Sequence, residues 1–289
     1  LTVMRVVTDF DDYELIDATD GERLERWKDI ILIRPDPQVM WHAERKNPLW
    51  HNAHAVYHRS SSGGGYWETL KKFPAQWSVD FKELTFRLKP MDFKHTGLFP
   101  EQAVNWELMS GLIKNARRPI KVLNLFAYTG GATVACLKAG ASVTHVDASK
   151  GMVTWAKENA VVSGVSDRPV RWLVDDCLKF IAREIRRGNK YDGIVMDPPS
   201  YGRGPNGEVW KLEQQLDVLL SSAAQILSDD ALFCLLNSYS GGISPTIINY
   251  MVKNTVIGKR KGEVTTEEIG LKITEKDIAL PCGCTTVWM

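Results

Sequence analysis

The stretch KVLNLFAYTGGATVACLKAGASVTHVD at residues 121–147 determines the fold of this chain. It opens with a short apolar run, 122–125, which is typical of a buried parallel strand. A loop containing Gly130 and Gly131 follows, then a run of helix formers and a second apolar run that ends at Asp147. Strand, glycine loop, helix, strand and terminal acid predict a mononucleotide-binding βαβ unit. In such a unit glycines let the backbone approach a ligand, and the final carboxylate can accept hydrogen bonds from ribose hydroxyls.

The loop does not suit a dinucleotide. A dinucleotide-binding loop needs three spaced glycines, with a helix N-terminus aimed at the pyrophosphate. This chain has only the adjacent pair Gly130 and Gly131, and the bulky Phe126 and Tyr128 stand where a pyrophosphate needs room. A nicotinamide-dependent dehydrogenase is therefore disfavoured.

Further acidic motifs follow the next two predicted strands. Asp175, Asp176 and Cys177 come after the strand predicted at 170–174, and Asp197-Pro198-Pro199-Ser200-Tyr201 comes after the strand predicted at 191–196. Helices are predicted at 101–115, 149–162, 178–187, 212–227 and from 245 to about 256, further strands at 231–236 and 285–288, and a loop at 201–207. Alternating strands and helices predict an α/β, doubly wound sheet, in which ligands bind at the carboxyl ends of the strands.

Five ordered motifs make the chain resemble the class I S-adenosylmethionine-dependent methyltransferases. They are His95-Thr96-Gly97 with Gln102, NLFAYTGG at 124–131, VDAS at 146–149, VDDC at 174–177 and VMDPPS at 195–200. More narrowly, the chain is similar to the branch that contains the large-subunit ribosomal RNA cytosine-C5 methyltransferase, from about residue 93 onward. The resemblance implies a mostly parallel, seven-stranded Rossmann-like methyltransferase sheet, S-adenosyl-L-methionine as cofactor and RNA, in particular ribosomal RNA, as substrate.

The resemblance also implies a set of cofactor-binding residues. They are Gln102, Asn124, Phe126, Ala127, Tyr128, Thr129, Gly130, Asp147, Ala148, Ser149, Asp176, Cys177 and Asp197. Asp147 would bind the ribose, and the alternative is that it caps the next helix. Asp176 and Cys177 would contact the adenine, while the neighbouring acid is solvated. Gln102 could instead be a surface residue, and Phe126 and Tyr128 could only pack the loop.

The catalytic motif departs from that of the C5 relatives. They carry a nucleophilic cysteine after the fifth strand, in a Ser-Cys-Ser context, whereas this chain has Tyr239 at that place, within residues 237–242. Pyrimidine carbon-5 needs such a nucleophile, but an exocyclic amine needs only an acceptor that orients it. We therefore expect methylation of a nitrogen, with Asp197 and the Pro198 carbonyl receiving the amine and Tyr201 stacking on the base. The alternatives are C5 methylation, a role of Asp197 in cofactor binding only, and a non-catalytic RNA-binding protein.

The first 90 residues predict a small β-rich domain, followed by the methyltransferase domain at 91–289. Runs such as 13–16 and 30–33 alternate like strands, and Asp20-Gly21 predicts a turn. Residues 41–94 mix aromatic and basic side chains, which suits either a β core or RNA contact. These aromatic residues include Trp41, Trp50, Tyr57, Tyr66, Trp67, Phe73, Trp77, Phe81 and Phe86, and we expect most of them in the core. The candidate RNA contacts are Arg45, Lys46, Arg59, Lys71 and Lys72.

Composition limits the remaining possibilities. The chain has 289 residues and a formal net charge of +1, so any RNA-binding surface must be local. Its five scattered cysteines predict a reducing, cytoplasmic location. The C-x-C pair formed by Cys282 and Cys284 is interpreted as structural. No apolar run is long enough to span a membrane. The histidines at 42, 51, 54 and 58 lack a metal-binding pattern, so no metal is expected. A low-complexity patch at 60–65 predicts a flexible loop.

Overall fold

The chain folds into two units in the computed structural model, which describes residues 4–60, 64–204, 206–239, 242–258 and 260–289. The N-terminal unit comprises Met4–Ala103 and Gly270–Cys282, and the C-terminal unit comprises Val104–Ile269 and Gly283–Met289. The division therefore falls at 103/104 rather than at the predicted 90/91, and a segment near the C-terminus belongs to the N-terminal unit. Residues 61–63, half of the predicted loop at 60–65, lie outside the described residues.

The N-terminal unit is built from short strands. They are β1 (Met4–Val7), β2 (Tyr13–Thr19), β3 (Glu22–Trp27), β4 (Ile30–Pro35), β5 (Ala55–Arg59), β6 (Gly65–Thr69), β7 (Trp77–Phe81) and β8 (Leu84–Leu88), with 3₁₀ turns at Pro48–His51 and Pro100–Gln102. Strands β2, β3 and β4 form an antiparallel meander, β5 is parallel to β4, and β7 and β8 form a separate hairpin. Asp20 (φ 55°) and Gly21 (φ 75°) make the two-residue turn between β2 and β3, as expected of a hairpin turn with both central residues at positive φ.

Of the nine aromatic residues expected mostly in the core, four are buried and four are half-buried. Trp50, Tyr57, Phe81 and Phe86 are buried, and Trp41, Trp67, Phe73 and Trp77 are half-buried. Tyr66 is the one of the nine that is mainly exposed. Packing within the unit therefore accounts for eight of these nine aromatic residues.

Two of the candidate RNA contacts are engaged within the unit. Arg45 bonds to Glu22 (2.8 Å) and lies over the Trp50 ring at 4.2 Å. The Lys71 ammonium donates to the backbone carbonyl of Asn52 (3.0 Å). Lys46, Arg59 and Lys72 are exposed.

The histidines of the unit contact different partners. His42 pairs with Asp20 (2.6 Å), His58 pairs with Glu68 (2.6 Å), and the Nδ1 of His54 accepts from the Ile31 N–H (3.0 Å). Among the described residues there is no group of three side chains that could hold a metal ion.

A buried charge cluster centred on Glu25 organises β2, β3 and β4. Arg34 donates to both Glu25 oxygens (2.5 and 2.7 Å), and the Tyr13 hydroxyl donates a third hydrogen bond (2.8 Å). The Nε of Arg23 lies 3.4 Å from Oε1 of Glu25. Burial alone would raise the pKa of Glu25, but Arg23 and Arg34 outweigh it and lower the pKa to about 2. Glu25 is therefore a buried carboxylate that its partners keep charged.

Replacing Glu25 with glutamine is expected to cost about 3–5 kcal/mol of unfolding free energy, because it leaves the arginines uncompensated in the core. Because the folded pKa is depressed, this contribution is complete above the ordinary pKa of 4.5 and is lost as the pH falls toward about 2. Urea unfolding at pH 7 and at pH 3 should show a larger difference between parent and variant at pH 7. The matched control is Glu14→Gln, whose 3.0 Å pair with Arg26 is partly exposed and should contribute less than about 1 kcal/mol. Equal effects of the two changes would contradict the assignment.

The C-terminal unit alternates helices and strands. Its elements are α1 (Ala103–Asn115), β9 (Lys121–Leu125), α2 (Gly131–Lys138), β10 (Ser142–Asp147), α3 (Lys150–Val162), β11 (Val170–Val174), α4 (Cys177–Arg187), β12 (Gly193–Met196), β13 (Tyr201–Arg203), β14 (Val209–Lys211), α5 (Leu212–Ile226), β15 (Phe233–Ser238), α6 (Pro245–Val252) with a π-helical turn at Lys253–Ile257, β16 (Val264–Ile273) and β17 (Ile278–Trp288). The final residues of β16 and the first residues of β17 belong to the N-terminal unit, where Ile273 lies opposite Leu15 of β2.

The main sheet of this unit has the order β11-β10-β9-β12-β15-β17-β16. The first five strands are parallel, and β17 is antiparallel to β15. The predicted seven-stranded, mostly parallel, doubly wound sheet is thus confirmed. The chain moves outward through β10 and β11 on one side of β9 and through β12 and β15 on the other. The order reverses between β9 and β12, where such sheets bind ligands.

Two details of the sequence-based prediction were wrong. The pattern of the helix predicted at 101–115 places Val104, Leu108, Leu112 and Ile113 on one face. Ile113 is buried, but the other three are only half-buried, and Trp106 and Met109 are buried in addition. Strand β16 was not predicted, and β17 begins at Ile278, seven residues before the predicted strand at 285–288.

Candidate active site

The loop after β9 wraps around the carboxylate of Asp147. Asp147 ends β10, and its two oxygens accept one backbone N–H each, from Tyr128 (2.8 Å) and from Ser149 (2.8 Å). Phe126 and Tyr128 adopt positive φ angles of 55° and 52°. Such a backbone costs energy in a non-glycine residue and is often found at functional sites. Burial raises the pKa of Asp147, although the two N–H groups act in the opposite direction.

The two glycines of this loop are required by packing. A Cβ on Gly130 would lie 2.9 Å from the Ala156 Cβ, and Gly130 has a φ of 82°. A Cβ on Gly131 would lie 2.8 Å from the Trp106 ring. The sequence suggested that these glycines make room for a ligand, but the atoms that would clash belong to α1 and α3.

Beneath the loop, a buried polar chain joins β9, α2 and β10. The Asn124 amide donates to the Thr133 hydroxyl (2.9 Å), which lies 2.9 Å from Nδ1 of His145. Burial lowers the pKa of His145 to about 3, so the imidazole is neutral. The Asn124 side chain, predicted to bind the cofactor, is thus engaged with Thr133.

The middle of the loop is tied to its neighbours through backbone groups. The Thr129 carbonyl accepts from the buried Asn159 amide (2.8 Å). The Ala127 N–H donates to the Val146 carbonyl (3.1 Å). These contacts fix the loop against β10 and α3.

The acidic pair after β11 has divided roles. The Asp176 carboxylate caps α4 by accepting from the Lys179 N–H (2.8 Å), whereas Asp175 forms an ion pair with Arg183. The Cys177 sulfur accepts from the Phe126 N–H (3.4 Å). Asp176 therefore stands at the carboxyl edge, and no donor from the described part of the chain is seen at its second oxygen.

The Asp197-Pro198-Pro199 turn follows β12, beside β9. The Asp197 N–H donates to the Leu125 carbonyl (3.4 Å), and the Tyr239 hydroxyl lies 3.4 Å from a carboxylate oxygen of Asp197. Tyr239 directly follows β15, and sequence reasoning gave its side chain no role. Residues 240 and 241 of the same segment lie outside the described residues.

The predicted loop at 201–207 contains a strand instead. Tyr201–Arg203 is β13, which pairs with β14, and Pro205 lies outside the described residues. The Trp210 indole donates to the Pro199 carbonyl (2.6 Å) and packs against Phe126 with 4.9 Å between ring centroids. No donor among the described residues is seen at the Pro198 carbonyl. Of the two proline carbonyls, the one next to Asp197 is thus available to a substrate.

A buried triangle of polar side chains fixes the end of β15. The Asn105 amide donates to the Asn237 side-chain oxygen (3.0 Å) and to the Thr285 hydroxyl (2.9 Å), and Thr285 in turn donates to Asn237 (2.9 Å). Sequence reasoning missed this triangle, because its three members come from α1, β15 and β17.

The remaining predicted cofactor residues lie in two places. Ser149 caps α3 by accepting from the Met152 N–H (3.4 Å), and Ala148 beside it is half-buried. Gln102 lies in the 3₁₀ turn Pro100–Gln102 of the N-terminal unit and is buried, so the alternative of a surface glutamine was wrong.

All five cysteines are free thiols whose pKa values are raised, chiefly by burial. The pKa reaches about 12 for Cys136 and Cys234. It is also raised for Cys177, Cys282 and Cys284. Cys284 lies opposite Ser238 across β15 and β17, which places it at the carboxyl edge of β15. A thiol with a raised pKa is protonated at neutral pH and is a weak nucleophile.

Comparisons with protein families and with curated proteins both find S-adenosylmethionine-dependent or ribosomal RNA methyltransferases. Residues 49–243 match a family model described as S-adenosylmethionine-dependent methyltransferase. The chain is 36% identical over 144 residues to a ribosomal RNA large subunit methyltransferase K/L from Pseudoalteromonas atlantica, which covers 49% of this chain and 19% of the relative. The matched segment thus spans about a fifth of the length of that relative.

Solved structures are similar over nearly the whole chain. A SAM-dependent methyltransferase from Agrobacterium tumefaciens has a TM-score of 0.94 and 37% identity, covering 99% of this chain and 93% of the other. A candidate SAM-dependent methyltransferase from Streptococcus mutans has a TM-score of 0.72 and 16% identity, covering 98% and 76%, and this likeness shows the fold alone. Within the described part of the chain, no helix is both long and apolar enough to cross a membrane.

Proposed function

Since the chain belongs to the family of S-adenosylmethionine-dependent methyltransferases, we propose that it methylates an RNA base at an exocyclic nitrogen. The observation that carries the proposal is the Asp197 carboxylate, which follows β12 at the switch point of the sheet and has Tyr239, not a thiol, beside it. RNA is favoured as substrate by the ribosomal RNA methyltransferase named among the relatives. Five free thiols suit a reducing cytoplasm.

The groups around Asp147 fit the nucleoside part of the cofactor. Each Asp147 oxygen accepts one backbone N–H, so each keeps a lone pair for a ribose hydroxyl. Asp176 at the neighbouring strand end can accept from the adenine amine, as the family resemblance implies. When bound, S-adenosylmethionine supplies a methyl group on a positively charged sulfur, which is already activated for transfer.

Asp197 would then act on the nitrogen that receives the methyl group. Its carboxylate and the Pro198 carbonyl accept hydrogen bonds from the amine and orient its lone pair toward the methyl carbon. The nitrogen lone pair forms the new N–C bond, the electrons of the broken C–S bond stay on sulfur, and the amine proton passes to Asp197. The half-exposed ring of Tyr201 provides the surface on which an extruded base can stack.

To test the proposal, the protein is incubated with radiolabelled S-adenosylmethionine and with total RNA from a strain in which its gene is deleted. The methylated nucleosides are then identified by mass spectrometry. A labelled N-methyl nucleoside that is absent from RNA of the deletion strain is expected. A C5-methyl pyrimidine would establish the alternative chemistry. RNA binding without any labelled nucleoside would establish the non-catalytic alternative.

Removal of all cysteines separates nitrogen from carbon-5 chemistry. We expect a variant with alanine at the buried positions 136, 177 and 234 and serine at 282 and 284 to keep methyl transfer within about threefold of the parent. Carbon-5 attack needs a thiolate that adds to the pyrimidine, whereas nitrogen attack needs none. The measurement is the rate of label transfer to RNA, with thermal unfolding and S-adenosylhomocysteine binding as controls for folding.

A single Cys284→Ser variant tests the thiol at the carboxyl edge of β15 if the multiple variant does not fold. A folded variant of either kind that binds cofactor and RNA but transfers no methyl group would restore the carbon-5 mechanism.

A further inference from the structure

The hairpin β13–β14 stands directly after the Asp197-Pro198-Pro199-Ser200 turn and has two unlike faces. Tyr201 lies opposite Lys211, Gly202 opposite Trp210, and Arg203 opposite Val209. Residues directly opposite each other in an antiparallel pair share a face, and successive residues alternate between faces. Gly202 and Trp210 therefore form the inner face. The outer face, defined by Tyr201, Arg203, Val209 and Lys211, consists of exposed residues.

The inner face anchors the hairpin to the catalytic turn. The Trp210 indole donates to the Pro199 carbonyl (2.6 Å), and its ring packs on Phe126, in the loop that holds Asp147. A Cβ on Gly202 would lie 3.4 Å from Pro199 Cγ, so the strand passes close over the proline ring. The position of the outer face relative to Asp197 is thus fixed by packing.

A second anchor lies at the turn of the hairpin. Glu208 forms an ion pair with Lys179 of α4, and it accepts from the Asn206 N–H (2.9 Å). The Gly204 N–H donates to the Glu208 carbonyl (2.8 Å). Because Glu208 neutralises Lys179 and shapes the turn, the free positive charge of the hairpin is left on its outer face.

The outer face combines two cations with an aromatic ring. Tyr201 is 52% exposed and Val209 46% exposed, and no partner for the Arg203 or Lys211 side chain is seen among the described residues. Lys211 lies across from Tyr201 at a separation of about 5 Å, and Arg203 lies about 7 Å further along the strand. Cations on either side of an exposed ring match the phosphates on either side of a stacked base. An acidic protein segment would use the cations but has no need of the ring.

We propose that the outer face of this hairpin binds the single-stranded RNA on both sides of the target base, with Arg203 and Lys211 on its phosphates. The inference rests on the proposed function and adds the part of the chain that holds the substrate strand. Base stacking on Tyr201 and the apolar contact of Val209 complete a surface for unpaired nucleotides next to Asp197.

The test is the double variant Arg203→Glu with Lys211→Glu. Its affinity for a labelled single-stranded oligoribonucleotide is expected to fall at least tenfold at about 0.1 M salt. The slope of log K against log salt should become shallower by about 1.4, because each lost phosphate contact removes about 0.7. Calorimetric affinity for S-adenosylhomocysteine should not change. With RNA at saturation, methyl transfer should approach the parent kcat with a raised KM.

The matched control is Lys114→Glu with Arg186→Glu. These exposed residues lie in the last turns of α1 and α4, which lead to the amino ends of β9 and β12, at the opposite edge of the sheet. The control changes the net charge by the same amount, so an equal loss of affinity would reduce the effect to long-range charge and overturn the proposal. An unchanged salt slope in the hairpin variant would overturn it as well.

Two further outcomes are decisive. Stronger competition by polyglutamate than by unlabelled single-stranded RNA would assign the face to an acidic protein. If the protein binds duplex RNA as tightly as single-stranded RNA, unpaired bases have no role at this face and the proposal is wrong. The milder Arg203→Gln/Lys211→Gln variant repeats the measurement if the reversal disturbs folding. Because Asp197 variants are judged on turnover and hairpin variants on RNA affinity, failure of this inference leaves the proposed chemistry standing.

Discussion

Asp197→Asn is expected to bind S-adenosylhomocysteine within about threefold of the parent and to lose about a hundredfold or more in turnover, the usual scale of general acid–base catalysis. Asparagine keeps the size of the side chain and one acceptor oxygen, so the turn after β12 should survive. It cannot take up the proton that leaves the amine. The loss should therefore appear in kcat, with little change in the KM for RNA.

Two companion variants show which property of Asp197 matters. Asp197→Ala removes the acceptor as well as the charge. If asparagine retains more than about a tenth of the parent turnover while alanine does not, Asp197 only orients the amine and the proton goes elsewhere. Tyr239→Phe removes the hydroxyl that lies 3.4 Å from Asp197 and should cost less than about tenfold, because a long, partly exposed hydrogen bond contributes little. A larger loss for Tyr239→Phe than for Asp197→Asn would transfer the main role to the tyrosine.

Local patterns were sufficient to predict the core of the fold. The strand predicted at 170–174 became β11 with the same bounds, and the helix predicted at 149–162 became α3, with Ser149 as its cap. Both depend on residues close together in the chain, where strand length, period and capping chemistry are visible. Strand β16 was missed because its central residues, Glu267 and Glu268, resemble a solvated segment.

The contacts that complete the candidate site could not be predicted, because they join residues distant in the sequence. Tyr239 meets Asp197 only after β15 pairs beside β12, and Trp210 reaches Pro199 only because β13 and β14 form a hairpin. The same holds for α1, where Val104, Leu108, Leu112 and Ile113 suggested one apolar face. The buried Asn105 instead turns inward, because it completes the triangle with Asn237 and Thr285. Hydrophobic periodicity cannot predict a buried asparagine whose hydrogen-bond partners lie on two strands elsewhere in the chain.

Asp147→Ala is expected to weaken S-adenosylhomocysteine binding about a hundredfold or more. Two charge-assisted hydrogen bonds to the ribose are lost, each contributing about 1.5–3 kcal/mol, and 1.4 kcal/mol corresponds to a factor of ten. The variant also releases the N–H groups of Tyr128 and Ser149, which hold the strained loop in place. Calorimetry with S-adenosylhomocysteine measures the affinity, and thermal unfolding shows whether the fold is intact.

The matched control for this change is Asp175→Ala, which removes a carboxylate from the neighbouring strand end, where it is paired with Arg183. Its affinity should stay within about threefold of the parent. Because burial raises the pKa of Asp147 above the ordinary 3.8, the affinity of the parent should fall on acidification at a higher pH than for an ordinary aspartate. The affinity falls and does not rise on acidification, because protonation removes the negative charge that accepts hydrogen bonds from the ribose hydroxyls. This acid-dependent loss should be absent from Asp147→Ala. An Asp147→Ala affinity within threefold of the parent would show that the carboxylate only shapes the loop through Tyr128 and Ser149.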